Sequence, residues 1–99
     1  MNSYRDQARL LRAVAHPVRL QILETLACQP GCVCELMLLT KRRQAYVSQQ
    51  LIVLREAGLV RCERQGLYVR YQLAWPEVVQ LLEAVHSVSA RSRSRNVLG

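Results

Sequence analysis

Three thiols stand within seven residues of one another: Cys28, Cys32 and Cys34, in the stretch CQPGCVCEL. The fourth cysteine, Cys62, lies far along the chain. A thiolate is a soft ligand and selects copper(I), zinc, cadmium, lead or trivalent arsenic-type species. One residue separates Cys32 from Cys34, and Cys28 precedes Cys32 by four across Pro30 and Gly31. A loop of that length could turn three sulfurs toward one centre. Three thiolates without a histidine suit trivalent arsenic or antimony, lead or cadmium better than a closed tetrahedral zinc site. The same atoms support a redox chemistry in which Cys28 pairs with Cys32 or Cys34 in a disulfide. They also support plain packing, because free cysteine is among the most often buried residue types. Cys62 shares a strand face with Val60 and reads as a buried apolar residue.

The rest of the composition gives these thiols a setting. A chain of 99 residues holds one domain with one core. Its opening, MNSYRDQARLLRAVAH, carries charge throughout and does not read as a secretory signal. No run of about 18 apolar residues is present, so a transmembrane helix is not expected. The expectation is a cytoplasmic protein. In that reducing compartment clustered thiols serve metals or redox chemistry more often than stapling. The net charge is +7, and 13 of the 14 basic residues are arginine, with Lys41 the exception. Such a surplus points to a polyanion, double-stranded DNA first. The planar fork of arginine suits phosphates and guanine edges.

Periodicity then supplies the elements. Residues 4–15 place Ala8, Leu11 and Ala15 on one helical stripe with Leu10 and Val14 beside it. His16 and Pro17 suit the cap and first turn of a second helix, along which Val18, Ile22 and Leu26 recur. That helix stops at Pro30 and Gly31. A short third helix fits from about Cys32 to Leu39. A fourth starts at Gln44, turns Val47, Leu51 and Leu54 inward and ends at Gly58. The period changes to two in LVRCER and LYVRYQL, which flank QG. There Leu67, Val69, Tyr71 and Leu73 alternate with Tyr68, Arg70 and Gln72, as in a hairpin with one buried and one cationic face. Trp75 and Pro76 open a last helix with an apolar stripe of Val78, Leu81, Leu82 and Val85. The order is α-α-α-α-β-β-α, mainly α with a β-hairpin wing: a winged helix-turn-helix. Residues 1–90 form the DNA-binding and dimerisation domain, and the Ser/Arg run of 91–99 is expected to be a mobile tail.

In this arrangement the fourth helix is the DNA reader, and its N-terminal end contacts base edges. Gln44, Tyr46, Ser48 and Gln49 occupy that end. Lys41, Arg42 and Arg43 come just before it, placed to meet phosphates. The wing offers Arg64, Gln65, Tyr68 and Arg70.

From His16 to Leu73 the chain resembles the arsenic-repressor family (ArsR/SmtB) of small dimeric winged-helix repressors. AHPVRLQIL resembles its second-helix signature, and CVCELMLL resembles its CVCDL third-helix motif. VSQQLIVLREAGLV resembles its recognition helix, and RQGLYVRYQL its wing. Two positions depart from the pattern: Gln50, where the family usually carries His, and Arg43, where a short capping residue is common. Both bear on the operator sequence. The resemblance implies a homodimer formed by the first and last helices and bound to an inverted-repeat operator. It also implies release of DNA when an effector binds. The apolar stripes of the terminal helices support the dimer independently. In the family the CVC motif is a metal(loid) site, and its arsenic-sensing form adds a third cysteine where this chain has Met37. The third sulfur is then expected from Cys28 or from the other subunit. The implied effector is a thiophilic metal(loid), As(III) first, with Cd, Pb or Zn as alternatives. For sulfide-responsive members the alternative is an oxidant or a polysulfide bridge on the same thiols.

Other classes find less support. No Ser/His/Asp set, phosphate-cradling glycine loop or CxxC points to an enzyme. A metal carrier would leave the winged-helix pattern unexplained. The RSRSR tail lacks the apolar face that a membrane anchor needs.

Overall fold

The computed structural model describes residues 3–98. Seven elements follow in the order α1 (Tyr4–Val14), α2 (Pro17–Cys28), α3 (Val33–Thr40), α4 (Gln44–Glu56), β1 (Val60–Gln65), β2 (Tyr68–Leu73) and α5 (Glu77–Leu98). The winged order read from periodicity is the observed one.

Local chemistry sets most of the boundaries. The Ser3 hydroxyl accepts from the Asp6 N–H at 3.1 Å and starts α1. His16 caps α2, its Nδ1 accepting from the Arg19 N–H at 3.3 Å, and Pro17 fills the first turn. Helix α3 starts at Cys32, whose N–H donates to Glu35 Oε1 at 3.0 Å, and stops at Lys41 in the left-handed region. Helix α4 ends in a Schellman turn. Gly58 has φ +78°, its N–H donates to the Arg55 carbonyl and the Leu59 N–H reaches the Leu54 carbonyl, both at 3.0 Å.

The core lies where α2 packs against α3, α4 and α5. Ile22, Leu23, Leu36, Val47, Leu51 and Leu54 are fully enclosed, and Leu59, Val60, Val78 and Leu82 extend that cluster under the hairpin and α5. The recognition helix therefore rests on the face expected for it, through Val47, Leu51 and Leu54.

The hairpin pairs Val60 with Leu73 through to Gln65 with Tyr68. Its two-residue loop is Gly66–Leu67, with Gly66 at φ +64°. This corrects the alternation expected from the sequence. Leu67 does not start the buried face; it sits at the wing tip, 95% exposed. Val69, Tyr71 and Leu73 do turn inward and are half-buried. One further pairing adds to the sheet: the Gly31 N–H donates to the Tyr71 carbonyl at 3.0 Å, and the Tyr71 N–H returns to the Gly31 carbonyl at 2.7 Å. The loop between α2 and α3 is thereby stitched to the wing.

The terminal helices share their apolar residues between the subunit's own core and its surface, and the last runs longer than expected. Helix α1 buries Ala13 and Val14 and half-buries Leu10, while Leu11 and Ala15 of the expected stripe stay exposed. Helix α5 runs on through the segment read as a tail, to Leu98. Residues 91–98 contain neither Gly nor Pro to stop a helix, and arginine is a good helix former.

Candidate DNA interface and thiol cluster

The turn between α3 and α4 is short, and it gathers cations. Lys41, Arg42 and Arg43 are all exposed, followed directly by exposed Gln44 at the first turn of α4. The four unsatisfied N–H groups of a helix start add partial positive charge at the same place. Gln49 is exposed and Ser48 half-buried one turn on. On the wing, Arg64, Gln65, Tyr68 and Arg70 are exposed. These groups donate and accept in the manner that phosphates and base edges require.

Arg43 occupies the N-cap of α4 and makes no side-chain cap hydrogen bond. A short hydroxyl there would satisfy an open N–H. Arg43→Ser is accordingly expected to raise stability by about 1 kcal/mol, measured by urea unfolding at fixed protein concentration. The same variant is expected to bind DNA more weakly, with a salt dependence flatter by about one counterion per protomer.

Tyr46 sits differently from its neighbours. It is half-buried; its ring lies under the Arg42 guanidinium, 4.1 Å from centroid to Cζ, and its hydroxyl is 3.4 Å from His16 Nε2. The His16 pKa is lowered from its ordinary value, first by desolvation and then by the charges of Arg19 and Arg42.

Gln50 does not face outward. It is buried, and its Oε1 accepts from Arg19 Nη1 at 2.9 Å. The departure from the family's usual histidine is thus a feature of the interior rather than of the DNA-facing surface. Arg19 is the hub beneath: its Nε donates to the Ala13 carbonyl at 2.7 Å and its Nη2 to the Arg12 carbonyl at 3.4 Å. One guanidinium ties the end of α1, the start of α2 and the middle of α4. Sequence reasoning passed over this residue. Its only signal was the one charged position in the mostly apolar VRLQIL run.

The thiols divide by exposure. Cys28, the last residue of α2, and Cys34, in the first turn of α3, are exposed; Cys32 at the α3 cap and Cys62 in β1 are half-buried. All four are free. Among the described residues no three His, Cys, Asp or Glu side chains come close enough to hold a metal ion. Cys28, Cys32 and Cys34 of one chain are therefore near in sequence without forming a three-sulfur centre. Cys32 instead opens onto a cleft of about 220 Å³ between α3 and the wing, lined by Glu35, Gln65, Tyr68, Val69 and Arg70. The Cys32 N–H, and after it the Cys32 thiol, hold the Glu35 carboxyl below the usual carboxylate range, and Arg70 pulls it the same way. The first helix of the helix-turn-helix and the wing thus meet at Cys32.

Comparison with known proteins agrees with this architecture. Residues 16–61 match the model of the bacterial regulatory protein, arsR family. A biofilm growth-associated repressor of Agrobacterium fabrum is 42% identical over 84% of this chain and 71% of its own length. The crystal structure of Rv0081 from Mycobacterium tuberculosis superposes with a TM-score of 0.89 at 37% identity, covering 95% of both chains. A homodimeric winged helix-turn-helix DNA-binding domain from Mycobacterium bovis, described as a possible ArsR-family regulator, superposes with a TM-score of 0.85 at 29% identity over 93% of this chain and 85% of that one. Among the described residues no helix is long and apolar enough to cross a membrane. The motif order, the wing and these likenesses converge: the chain belongs to the arsR family of bacterial regulatory proteins, as a transcriptional repressor carrying a DNA-binding winged helix-turn-helix.

Proposed function

We propose that this repressor acts as a homodimer on an inverted-repeat operator and lets go when a thiophilic species engages Cys32 and Cys34. The observation that carries the reading is the place of Cys32. It caps α3, its N–H holds Glu35, and the preceding Gly31 is paired with Tyr71 of the wing. A ligand on this sulfur acts on the start of the helix-turn-helix and on the wing root together. The dimer is supported by the exposed Leu11 of α1 and the exposed Val85 and Val88 of α5, which one subunit leaves uncovered.

As(III) leads among effectors. Cys32 and Cys34 supply two thiolates, and the third comes from Cys28 after a loop movement or from the partner subunit. Arsenic contributes a strong preference for three sulfurs; the chain contributes the cap that this preference disturbs. A second reading rests on the exposure of Cys28 and Cys34. A peroxide would take two electrons from a thiol pair, forming one S–S bond, and the two thiol protons would leave in water as the peroxide is reduced. Reduced HlyU from Vibrio cholerae, 34% identical with a TM-score of 0.78 over 86% of this chain and 90% of that one, is a neighbour described by its redox state.

The test is fluorescence anisotropy of the full chain on a duplex from its own upstream region, at fixed salt. Arsenite, cadmium, zinc, peroxide and polysulfide are titrated in turn. Arsenite is expected to weaken binding roughly 5–150-fold, the usual range of allosteric coupling. Cys32→Ser and Cys34→Ser are expected to abolish that response while retaining DNA binding. Serine is a good cap, so Cys32→Ser keeps α3 intact. Release by peroxide or polysulfide alone, reversed by a reductant, would select the second reading. Release by arsenite that survives both substitutions would overturn the site.

A further inference from the structure

We infer that His16 and Tyr46 are positioning residues for DNA binding, which together hold the Arg42 guanidinium at the start of the recognition helix. The inference rests on the reading of Arg42 as a phosphate contact.

The geometry is a relay of three side chains. His16 is fixed by its own cap, with Nδ1 accepting from the Arg19 N–H at 3.3 Å. A neutral imidazole that accepts at Nδ1 carries its proton on Nε2. That nitrogen faces the Tyr46 hydroxyl at 3.4 Å, so His16 donates and the phenolic oxygen accepts. The Tyr46 ring in turn lies under Arg42, 4.1 Å from its Cζ. A guanidinium over an aromatic face is attracted by the ring quadrupole. It also surrenders its rotamer freedom before the DNA arrives, and preorganisation of this kind saves ordering cost on binding.

The start of α2 therefore grips α4 at two points one helical turn apart. Arg19 reaches Gln50, and His16 reaches Tyr46. The first grip is buried and structural. The second ends on an exposed cation in the DNA-facing turn. Tyr46 was expected from the sequence to touch DNA itself; half-buried and engaged on both sides, it acts through Arg42.

A positioning role has a signature that a structural role lacks. The charges acting on His16 are the guanidiniums of Arg19, from α2, and Arg42, from the turn before α4; Tyr46 faces it from α4. Protonation fills Nδ1 and removes the acceptor for the Arg19 N–H. The His16 pKa is lowered in the folded protein, so the cap is fully present at and above the ordinary value near 6.5 and is lost as pH falls through the lower folded value. A simple cationic contact would tighten DNA binding over the same interval.

The experiment is anisotropy on the same upstream duplex with the full chain, between about pH 5.5 and 8 at fixed ionic strength. Wild type is compared with Tyr46→Phe, His16→Asn, Arg42→Ala and the double variant Tyr46→Phe/Arg42→Ala. Tyr46→Phe keeps the ring under Arg42 and loses only the hydroxyl. His16→Asn keeps a capping side chain and loses the Nε2 donor. Each is expected to weaken binding about 3–10-fold at pH 7.5 and to flatten the loss seen in wild type below pH 6.5. In the Arg42→Ala background Tyr46→Phe is expected to cost nothing more, because the two act as one unit. Wild-type affinity and pH profile for Tyr46→Phe would overturn the relay, as would a full additional loss in the double variant. These results decide the matter even if His16→Asn fails to fold. If Arg42→Ala itself binds like wild type, the reading of Arg42 has failed, and that outcome is distinct from failure of the relay alone.

Discussion

Removing both cations of the interhelical turn, in Arg42→Ala/Arg43→Ala, is expected to lower operator affinity about a thousandfold at 0.15 M salt. Each phosphate neutralised on duplex DNA releases close to one counterion, with a slope of about 0.9 per contact. In the proposed dimer, two arginines from each subunit would make four such contacts. The plot of log affinity against log salt should then flatten by about 3.6, and the difference between wild type and variant should shrink toward 1 M salt. The loss should be nearly the same on operator and on unrelated DNA, because phosphate contacts carry no sequence information. A selective loss on the operator would instead assign one of these arginines to a base edge. The fold itself is expected to survive. Both side chains are exposed, and Arg43 supplies no cap bond to lose.

The second large effect lies inside the molecule. Arg19→Met is expected to destabilise the protein by about 3 kcal/mol, read from urea unfolding at fixed protein concentration. The substitution strands the Gln50 Oε1 in the interior and frees the Ala13 and Arg12 carbonyls at the end of α1. Hydrogen bonds to a charged donor are each worth about 1.5–3 kcal/mol, and partial access to water reduces the sum. Arg19→Lys should rescue little of this, because one ammonium cannot span three acceptors set apart by a planar fork. Arg19→Met/Gln50→Leu should recover part of the loss, since the stranded amide goes with its partner. No such recovery would mean that the α1 carbonyls, and not Gln50, carry the effect.

These three arginines also mark how far the sequence could be read. Repeats of three to four and of two are set by which side chains face the core, so Val47, Leu51 and Leu54 located the recognition helix and VRCER and YVRYQ the hairpin. His16 was recognisable as a helix start because capping is local chemistry, and the Pro30–Gly31 break placed the start of the third helix near Cys32. The register of the wing tip was not. Gly66 can serve the first or the second place of a short turn, and the difference moves Leu67 from a buried row to open solvent. Two apolar stripes also share α1, and only packing shows that Leu10, Ala13 and Val14 serve the subunit's own core while Leu11 stays exposed. Gln50 and Arg19 lie 31 residues apart, and nothing in either neighbourhood announces the bond between them. The thiols illustrate the same limit. Their closeness along the chain suggested a common centre, yet α2 ends with Cys28 on one side of the loop while α3 begins with Cys32 on the other.

The pairing of Gly31 with Tyr71 restricts how this sequence can change with time. Only Gln29 and Pro30 separate Cys28 from that anchor, and Cys32 follows it directly. An inserted or deleted residue on either side must break two backbone hydrogen bonds or pull Cys32 away from the first turn of α3. A β-carbon on Gly31 would already press within 3.3 Å of the Glu35 carboxylate. Point substitutions can replace any one sulfur and so alter the proposed effector site, whereas the intervals between the sulfurs are tied to the wing as a single block.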